Sequence, residues 1–489
     1  MKIITNIAGS TLGPKIVIRF SQVAFKALKK RFLKDRHNEQ FAFALFSQAK
    51  TAEGTVLIVR DIFFPDEEDM LTRSRFGVCP TKKFQALVYL AARQKGLGIM
   101  DVHTHPFQQV PSFSPIDEAE SAKNAASICK NLPYPITMAM MVFDKDMETF
   151  DSCVYDRSLN GFRKLDSMEI LGRGIEVKYP GEPHVCADEN DPTYSRQISI
   201  LGWDQTTLAR LKIVVAGAGG NGAQMFQTLV SLGVGTEGWM AVIDPDTVEQ
   251  SNLPRIPYAN PDDIGQPKVT LATRYAHMKN PRAKVYPDAC SVNERPVKNR
   301  IKGANIIIGA GDGDGLRQVC NELAVQYMIP YIDLGCEILV NNNKVEAGGQ
   351  VRIILPGTNA CLICCGGLDT AAAAIELMDD AQAAVHAARG YLRGSNQQAT
   401  PSVANLNATI AQLGVAALLA LIHGEKFGAW DYIHYDQLTA QTITAESARN
   451  EKCPLCGPYG ILARGDAPEA APTEPAWQSF GPPELSKKS

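Results

Sequence analysis

KIVVAGAGGNGAQMFQTLVSLG, residues 212–233, begins with a short apolar run, continues through a glycine-rich turn and ends in a helix-forming segment. Gly217, Gly219 and Gly222 have the spacing of a dinucleotide-binding turn. Asp244 ends the next apolar run, twenty-two residues after the last of these glycines. At that distance an acidic side chain can reach a ribose. The stretch therefore predicts a strand, a turn and a helix that bind a nucleotide.

Similar apolar runs at 212–217, 239–244 and 305–311 are separated by helical segments. This alternation favours βαβ units and a mostly parallel sheet buried on both faces. A chain of 489 residues is too long for one core, so we expect at least two domains. The predicted division, from composition, is a first domain over 1–178 that mixes strands and helices, a polar linker over 179–193, a second domain over 194–459 and a disordered tail over 460–489.

The composition is that of an ordinary globular protein, with 45% hydrophobic and 21% charged residues. Forty-nine basic residues nearly balance 52 acidic ones, which argues against a nucleic-acid partner. The longest apolar run, GVAALLALI at 414–422, is too short to cross a bilayer. The first residues lack the apolar run of a signal peptide, so we expect a cytoplasmic protein. Its twelve cysteines are then metal ligands, nucleophiles or buried thiols rather than disulfides.

A second motif, HTHPFQQVPSFSPID, occupies residues 103–117 of the first domain. His103 and His105 are alternate residues of an extended segment and can present both imidazoles to one ion. Asp117, from the start of a following helix, would complete a three-ligand zinc site. Such a site keeps a fourth position for water, whose pKa the metal lowers toward about 7. The motif therefore predicts a hydrolytic metal centre.

Amide hydrolysis also needs a general base and a donor to the oxyanion. Glu39, before the strand at 41–46, is the candidate base, and Ser114 is the candidate donor. Together these residues resemble the JAB/JAMM (MPN) metalloproteases, although eight residues separate His105 from Ser114 where the family pattern has seven. The resemblance covers roughly residues 1–150 and implies cleavage of peptide or isopeptide bonds behind ubiquitin-like proteins. The alternative is a degenerate domain whose histidines only pack.

Polar residues after the glycine-rich turn favour ATP chemistry over hydride transfer. Asn252 and Arg255 lie in DPDTVEQSNLPR, and Lys268 follows in IGQPK. They would place hydrogen-bond donors and two positive charges around a triphosphate. Asp312 supplies an oxygen ligand for Mg²⁺. Charge compensation of this kind stabilises attack at a phosphate and departure of pyrophosphate, and it makes Arg255 and Asp312 candidate catalytic residues.

These elements resemble the adenylating superfamily that includes ThiF, MoeB and the ubiquitin-activating enzymes. The match runs over about 194–425 and includes YSRQ at 194–197, the double glycine at 219–220, SNLPR and a downstream Asp. Together, the two resemblances imply an MPN-type α+β domain followed by a Rossmann-like α/β domain. By resemblance the ATP site contains Gly217, Gly219, Gly220, Gly222, Asp244, Asn252, Arg255, Lys268 and Asp312. Arg196 would reach the ATP of a neighbouring subunit, which implies a homodimer.

The second domain also contains two pairs of closely spaced cysteines. Cys361-x-x-Cys364 and Cys453-x-x-Cys456 predict a closed, structural zinc site.

The crossover segment at 366–402, where ubiquitin-activating enzymes carry a catalytic cysteine, contains no cysteine. Three alternatives stay open: adenylation alone, an oxyester on a hydroxyl, or a thioester on a cysteine outside the segment. The hydroxyl candidates are Ser395, Thr400 and Ser402, and the cysteine candidates are Cys186 and Cys365. Many members also have an Asp where this chain has Gly309, for which Asp314 could compensate.

Three functions are compatible with these motifs. In the first, the chain activates a ubiquitin-like protein with ATP, passes it on with or without a conjugating enzyme, and trims or removes it with zinc. In the second, it activates and processes a sulfur-carrier protein for cofactor or cysteine biosynthesis. In the third, both sites are dead and the chain is a scaffold. The complete ligand sets favour the first.

Overall fold

The structure is a computed structural model, and it describes residues 14–113, 125, 136–157, 161–181, 192–341, 344–378, 401–457 and 459–467. These residues form two compact units. The first unit comprises the described residues of Met1–Gly172, Glu176–Val185 and Pro458–Ser489, and the second those of Arg173–Ile175 and Cys186–Gly457. The main division falls in the part of the chain predicted to be a linker.

The first unit is built on a nine-stranded sheet with the order β11-β10-β1-β3-β2-β6-β7-β8-β9. The strands of the unit are β1 (Lys15–Ser21), β2 (Phe41–Lys50), β3 (Gly54–Phe63), β4 (Met70–Ser74), β5 (Gly77–Pro80), β6 (Gly98–His105), β7 (Ile136–Asp144), β8 (Phe150–Asp156), β9 (Gly161–Lys164), β10 (Ser167–Leu171) and β11 (Glu176–Lys178). Strand β1 is parallel to β3 and β10, β6 is parallel to β7, and the other neighbours are antiparallel. Strands β4 and β5 form a separate hairpin. The two strands predicted at 41–46 and 55–64 are confirmed as β2 and β3.

Helices α1 (Gln22–Phe32) and α2 (Lys82–Lys95) cover opposite faces of this sheet. Side chains of a strand alternate between faces, so β2 contributes to both cores. Ala42, Ala44 and Phe46 belong to the core that includes α1. Phe41, Phe43 and Leu45 belong to the core that includes α2. This two-sided burial explains why β2 is apolar along most of its length.

Residues near the C-terminus also belong to the first unit. Composition predicts a disordered tail from residue 460, but the described residues up to 467 are hydrogen-bonded to β2. The Ser47 hydroxyl donates to the Ala463 carbonyl at 2.8 Å, and the Asp466 amide donates to the Gln48 carbonyl at 2.7 Å. The Lys50 amide donates to the Asp466 carboxylate at 2.7 Å. The part of the tail up to residue 467 is therefore fixed to β2 by one backbone–backbone hydrogen bond and two that involve side chains.

The second unit has an eight-stranded sheet with the order β14-β13-β12-β15-β16-β17-β18-β19. Its strands are β12 (Lys212–Ala216), β13 (Trp239–Ile243), β14 (Val285–Asp288), β15 (Ile306–Gly309), β16 (Tyr331–Asn341), β17 (Lys344–Ile354), β18 (Tyr432–Asp436) and β19 (Gln441–Ala445). The pairs from β14 to β16 are parallel, and those from β16 to β19 are antiparallel. The three predicted strands are confirmed as β12, β13 and β15. The sheet is therefore α/β with a parallel half and an antiparallel extension.

The helices of the second unit are α3 (Ser195–Ile198), α4 (Gln205–Arg210), α5 (Gly220–Ser231), α6 (Lys268–Lys279), α7 (Arg295–Lys302), α8 (Asp314–Tyr327), α9 (Thr370–Glu376) and α10 (Ala404–His423). Short 3-10 turns occur at Glu67–Asp69 in the first unit, and at Gln250–Asn252, Pro261–Asp263 and Glu425–Phe427 in the second. The parallel strands and their helices place the carboxyl ends of β12, β13 and β15 at one edge of the sheet. In parallel sheets this edge is where ligands bind.

Helix α10 (Ala404–His423) is longer than the apolar run at 414–422. The helix has 20 residues, and an 18-residue window of it has a mean hydropathy of 1.7, so length and composition alone would let it cross a membrane. The helix instead packs inside the unit. A Cβ atom on Gly414 would lie 2.7 Å from Leu334 of β16 and 3.3 Å from Met225 of α5. The apolar composition of α10 is thus explained by its position between α5 and the sheet.

Candidate functional site

The glycine-rich turn between β12 and α5 brings the backbone unusually close to its neighbours. Gly217 has φ +102°, in the left-handed region that favours glycine. A Cβ atom on Gly222 would lie 1.9 Å from the Gly217 carbonyl oxygen, so no larger residue fits there. Helix α5 begins at Gly220, directly after this turn. Backbone amides at such a helix start, together with the helix dipole, attract an anion.

A cavity of about 940 Å³ opens beside this turn at the carboxyl edge of the sheet. Eight of the residues predicted for the ATP site line it. They are Gly217, Gly219, Gly220, Asp244, Asn252, Arg255, Lys268 and Asp312. Gly222 is buried behind the turn, and Arg196 is exposed on α3 outside the lining. The structure thus brings together residues that are up to 95 positions apart, from Gly217 to Asp312.

Asp244 holds the glycine-rich turn through its carboxylate. It accepts hydrogen bonds from the Ala218 amide at 2.7 Å and the Asp246 amide at 2.9 Å. Lys268 at the start of α6 lies 2.7 Å from the Asp246 carboxylate and 3.6 Å from that of Asp244. The ammonium group is therefore held at the cavity wall by two acids. Each Asp244 oxygen keeps a further lone pair with which a ribose hydroxyl could bond.

Arg255 and Asp312 differ from Lys268 in having no ion pair among the described residues. Asp312 is exposed at the cavity, directly after β15, and Arg255 is half-buried after a 3-10 turn. One positive and one negative group are thus available to a ligand. Oxygen donors of this type suit Mg²⁺, and a guanidinium suits a phosphate.

The position of Gly309 is filled by another side chain. A Cβ atom on Gly309 would lie 2.4 Å from the Tyr331 hydroxyl oxygen. That hydroxyl donates to the Asp333 carboxylate at 2.7 Å, and burial, with the charge of Asp333, raises the pKa of Tyr331 well above its ordinary value. Asp314 does not compensate for the missing acid inside the cavity, because its carboxylate pairs with Arg317 at 2.8 Å.

Several residues that line the cavity were not predicted from the sequence. Arg317 binds Asp333 at 2.7 Å and the Gly367 carbonyl at 2.8 Å, and it lines the cavity. Asn221, Cys336 and Asn407 also line it. An acid within a short apolar run, as Asp333 is in PYIDLG, was a usable signal. The other residues lie on distant segments and had no comparable signal.

The candidate acceptors near the crossover segment differ in their surroundings. Cys365 receives a hydrogen bond from the Arg352 guanidinium at 3.3 Å. The Ser402 hydroxyl lines the cavity and donates to Asn407 Oδ1 at 3.1 Å. Cys186, Ser395 and Thr400 lie outside the described residues. The described contacts do not pair Ser402 with a base.

The four cysteines predicted to bind zinc converge, and their sulfur atoms all lie within 4.8 Å of one another. Individual S–S distances are 3.7 Å for Cys361–Cys364, 3.7 Å for Cys361–Cys453 and 3.3 Å for Cys364–Cys456. Tetrahedral zinc with Zn–S bonds of about 2.3 Å requires roughly 3.8 Å between sulfurs. Donor type, number and spacing therefore fit a structural zinc ion. Cys365 lies outside the quartet.

In the first unit, β6 carries the histidine pair. His103 and His105 are buried on one face, with ring centroids 5.0 Å apart. His103 Nδ1 lies 3.0 Å from the Asp101 carboxylate, and His105 Nδ1 lies 3.1 Å from Gln108 Oε1. Glu39 is also buried, and its Oε1 lies 3.8 Å from His105 Nε2. The candidate base is thus beside the histidines.

Ser114 and Asp117 lie outside the described residues, so the predicted third ligand and oxyanion donor stay predictions. Asp101 and Gln108 are additional polar contacts that the motif did not include. Acceptors on Nδ1 fix the tautomer of an imidazole and direct Nε2 toward a metal. Paired imidazoles held in this way suit two of the ligand positions of a zinc ion.

Comparison with known proteins concerns the second unit. The model of the family described as "ThiF family" matches residues 194–455. The SAMP-activating enzyme E1 of Haloferax volcanii is 29% identical over 57% of this chain and 88% of its own length. The sulfur carrier protein adenylyltransferase of Thermus thermophilus is 27% identical over 52% of this chain and 84% of its own length. A crystal structure of E. coli MccB with succinimide covers 55% of this chain and 75% of its own at 20% identity and a TM-score of 0.42. Because the family match extends over more than half of the 489 residues, the chain belongs to the ThiF family.

Proposed function

We propose that this chain uses ATP to adenylate the C-terminal glycine of a small ubiquitin-like protein. The main support is the cavity at the glycine-rich turn, where Arg255, Lys268 and Asp312 surround one space. The family assignment and the names of the relatives, an activating enzyme and an adenylyltransferase, agree with this chemistry. The modifier would be a folded protein with a flexible tail that ends in glycine.

In the proposed reaction, a carboxylate oxygen of the glycine forms a bond to the α-phosphorus of ATP. The bond from that phosphorus to the bridging oxygen breaks, and pyrophosphate leaves. Asp244 would hold the ribose, while Asn252, Arg255 and Lys268 compensate the charge on the phosphates. Asp312 would hold Mg²⁺, which neutralises charge on the leaving pyrophosphate.

The proposal includes a homodimer, in which Arg196 serves the ATP of the neighbouring subunit, and a cytoplasmic location. Arg196 is exposed on α3 and is available for such a contact. The cysteine quartet would hold a structural zinc ion. For the product we keep three fates: release as the adenylate, an oxyester on a hydroxyl such as Ser402, or a thioester on a cysteine such as Cys365. Transfer of the product to a conjugating enzyme is part of the same proposal.

We further propose that the first unit is a zinc peptidase for the same tail. The support is the buried arrangement of Glu39, His103 and His105, with Asp101 and Gln108 bound to the histidine Nδ1 atoms. Zinc supplies a Lewis acid for amide hydrolysis. Asp101 and Gln108 would orient the imidazoles, and Glu39 would accept the proton of the attacking water. Bond formation and bond cleavage in one chain are then explained by a shared substrate.

A second candidate is activation and processing of a sulfur-carrier protein. One relative is named as a sulfur carrier protein adenylyltransferase, and the adenylation step would be the same. The two candidates differ in what receives the acyl group. Sulfide that displaces AMP and yields a thiocarboxylate supports the sulfur-carrier role, and a lysine or hydroxyl acceptor supports the modifier role.

The adenylation proposal is tested by ATP–pyrophosphate exchange. The probe is a small β-grasp protein with a flexible tail that ends in glycine. Exchange should require that protein, should disappear when its last glycine is removed, and should be lost in Asp312→Ala. Exchange that persists in Asp312→Ala, or that needs no partner, contradicts the proposal.

The peptidase proposal is tested with the same small protein extended at its C-terminus by a reporter. Intact mass spectrometry should show cleavage after the glycine, inhibition by a chelator and loss in Glu39→Gln. Zinc content should fall in His103→Ala, while the four cysteines still retain zinc. Cleavage that survives loss of the histidine-bound zinc would remove the peptidase role and leave adenylation untouched.

A further inference from the structure

The first turn of α5 carries an unexpected carboxamide. Asn221 is the second residue of the helix and is 4% exposed, and it lines the ATP-site cavity. Its Oδ1 atom accepts two hydrogen bonds, from Asn407 Nδ2 at 2.8 Å and from the Cys336 thiol at 3.1 Å. Asn407 belongs to α10, and Cys336 belongs to β16. Two separate elements therefore hold the oxygen of this amide.

The partners of Asn221 determine which way the amide faces. Burial raises the pKa of Cys336 to about 11, so the thiol keeps its proton at neutral pH and donates it. Asn407 Oδ1 accepts from the Ser402 hydroxyl at 3.1 Å, which leaves Asn407 Nδ2 to donate to Asn221. With two donors directed at Oδ1, the amide oxygen of Asn221 lies on this side. The NH₂ group must lie on the other side.

No described residue accepts a hydrogen bond from that NH₂ group. Among the described residues, the fully buried polar atoms without a hydrogen-bond partner do not include Asn221 Nδ2. Because this nitrogen has no partner, it is not fully buried and is accessible from the cavity. The amide oxygen accepts two hydrogen bonds, whereas the amide nitrogen donates none to the described residues. The NH₂ group is therefore placed to donate to a ligand. Because the site is at a helix start, the expected ligand is an anion.

The position of Asn221 indicates which anionic group it meets. Asp244, the proposed ribose ligand, is bonded to the Ala218 amide, three residues earlier on the same turn. The α-phosphate is covalently attached to the ribose, so a ribose held by Asp244 would bring it to the start of α5, where Asn221 lies. Lys268 is instead held by Asp246. The thiol of Cys336, which donates to Asn221, is close enough to Asp312 for that charge to raise its pKa.

We propose that the Asn221 side-chain NH₂ donates a hydrogen bond to a non-bridging oxygen of the α-phosphate, with Asn407 and Cys336 as positioning residues. The inference rests on the proposed adenylation. During attack by the glycine carboxylate, charge accumulates on the α-phosphate oxygens while the bond to pyrophosphate breaks. A fixed donor at that point stabilises the transition state more than bound ATP. No proton is transferred in this step.

Two variants test whether Asn221 donates a hydrogen bond to the phosphate or only lies near it. Asn221→Asp keeps an oxygen for Asn407 and Cys336 but replaces the donor with a charge, and Asn221→Leu removes the donor without adding charge. The matched control is Asn405→Asp on the exposed side of α10. Calorimetry with Mg·ATP, AMP and adenosine reports binding and needs no protein partner. Exchange with the β-grasp protein reports the chemical step.

Both Asn221 variants should bind AMP and ATP at least threefold more weakly and adenosine within twofold of the wild type. Their kcat for exchange should fall by about 10²-fold. Unchanged adenosine binding shows that the site is folded. Asn221→Leu with wild-type AMP affinity and exchange overturns the inference, even if Asn221→Asp is impaired. A wild-type chain that binds nucleotide but shows no exchange instead contradicts the proposed function.

Discussion

The Tyr331 hydroxyl lies 2.4 Å from the place that a Cβ atom on Gly309 would occupy. The two residues are on adjacent parallel strands, and Gly309 is paired in register with Asp333. Tyr331 and Asp333 form a buried hydrogen bond that Arg317 completes with an ion pair. The absence of an acid at 309 is therefore linked to a polar network on the neighbouring strand.

This relationship predicts that Gly309→Asp is harmful, although the family resemblance implies an Asp at this position. The new side chain would collide with Tyr331 and place a second carboxylate near Asp333. We expect a loss of about 1–3 kcal/mol in the free energy of unfolding of the second unit, typical of overpacking. Chemical denaturation followed by tryptophan fluorescence measures it. Gly77→Asp, at a glycine with nothing within 4 Å, is the control, and equal stability of both variants would refute the steric explanation.

Lys268 should contribute to ATP affinity through its charge. In Lys268→Met, Asp244 and Asp246 lose their common partner, and the phosphates lose a charge-assisted hydrogen bond. Such bonds contribute about 1.5–3 kcal/mol, so Mg·ATP affinity should fall by roughly 10–100-fold by calorimetry. Lys279→Met, at the exposed end of the same helix, should bind like the wild type. Equal affinity of the two variants would remove Lys268 from the phosphate site.

The cysteine quartet should set the zinc content of the second unit. Cys453→Ser should lose the structural zinc and lower the temperature of unfolding, because metal affinity is coupled to folding. Cys365→Ser should retain the metal, since its sulfur is outside the quartet. Inductively coupled plasma mass spectrometry on a His103→Ala background counts this zinc alone. Full zinc content in Cys453→Ser would show that the thiolates do not bind it.

A buried ion pair in the first unit should be sensitive to removal of one partner. Arg19 Nη2 and Glu169 Oε2 are 2.8 Å apart on the paired strands β1 and β10, and both side chains are fully buried. Arg19→Met leaves a buried carboxylate and should cost about 3–5 kcal/mol in the free energy of unfolding. The double variant Arg19→Met, Glu169→Leu should recover most of this loss. Similar stability of the single and double variants would mean that the charges are not coupled.

His423 should make the second unit less stable in acid. Burial lowers its pKa to about 4, from an ordinary value of 6.5. The unfolded chain therefore binds the proton first, and stability falls as the pH decreases from about 6.5 to 4. The Asp204 amide donates to His423 Nδ1, a bond that Gln can preserve. Thermal unfolding of His423→Gln should depend less on pH in this window, while the exposed His277→Gln should behave like the wild type; identical pH profiles would contradict this.

Much of the nucleotide site was predictable because its chemistry lies in short, local patterns. A glycine with φ +102°, an acid at the end of a strand and a lysine at a helix start are each determined by neighbours in sequence. Parallel β12, β13 and β15 then bring Asp244 and Asp312 to one edge without further information. The four cysteines were predictable for the same reason, since their paired spacing encodes a tetrahedral site.

Other features depend on packing between distant segments. Ala463 and Asp466 of the predicted tail are hydrogen-bonded to β2, which composition does not reveal. Tyr331 occupies the space above Gly309 only because two strands lie side by side in one register. Asn221 faces the cavity because Asn407 and Cys336, more than a hundred residues away in the chain, hold its oxygen.

Local spacing in this chain thus specified the glycine-rich turn, the βαβ units and the sets of charged and sulfur ligands. The direction of the Asn221 amide, the Tyr331–Asp333–Arg317 network and the placement of α10 within the unit arose from long-range contacts. The physical reason is that backbone geometry and ligand spacing are short-range properties, whereas the satisfaction of a buried polar group depends on whichever segment the fold places beside it.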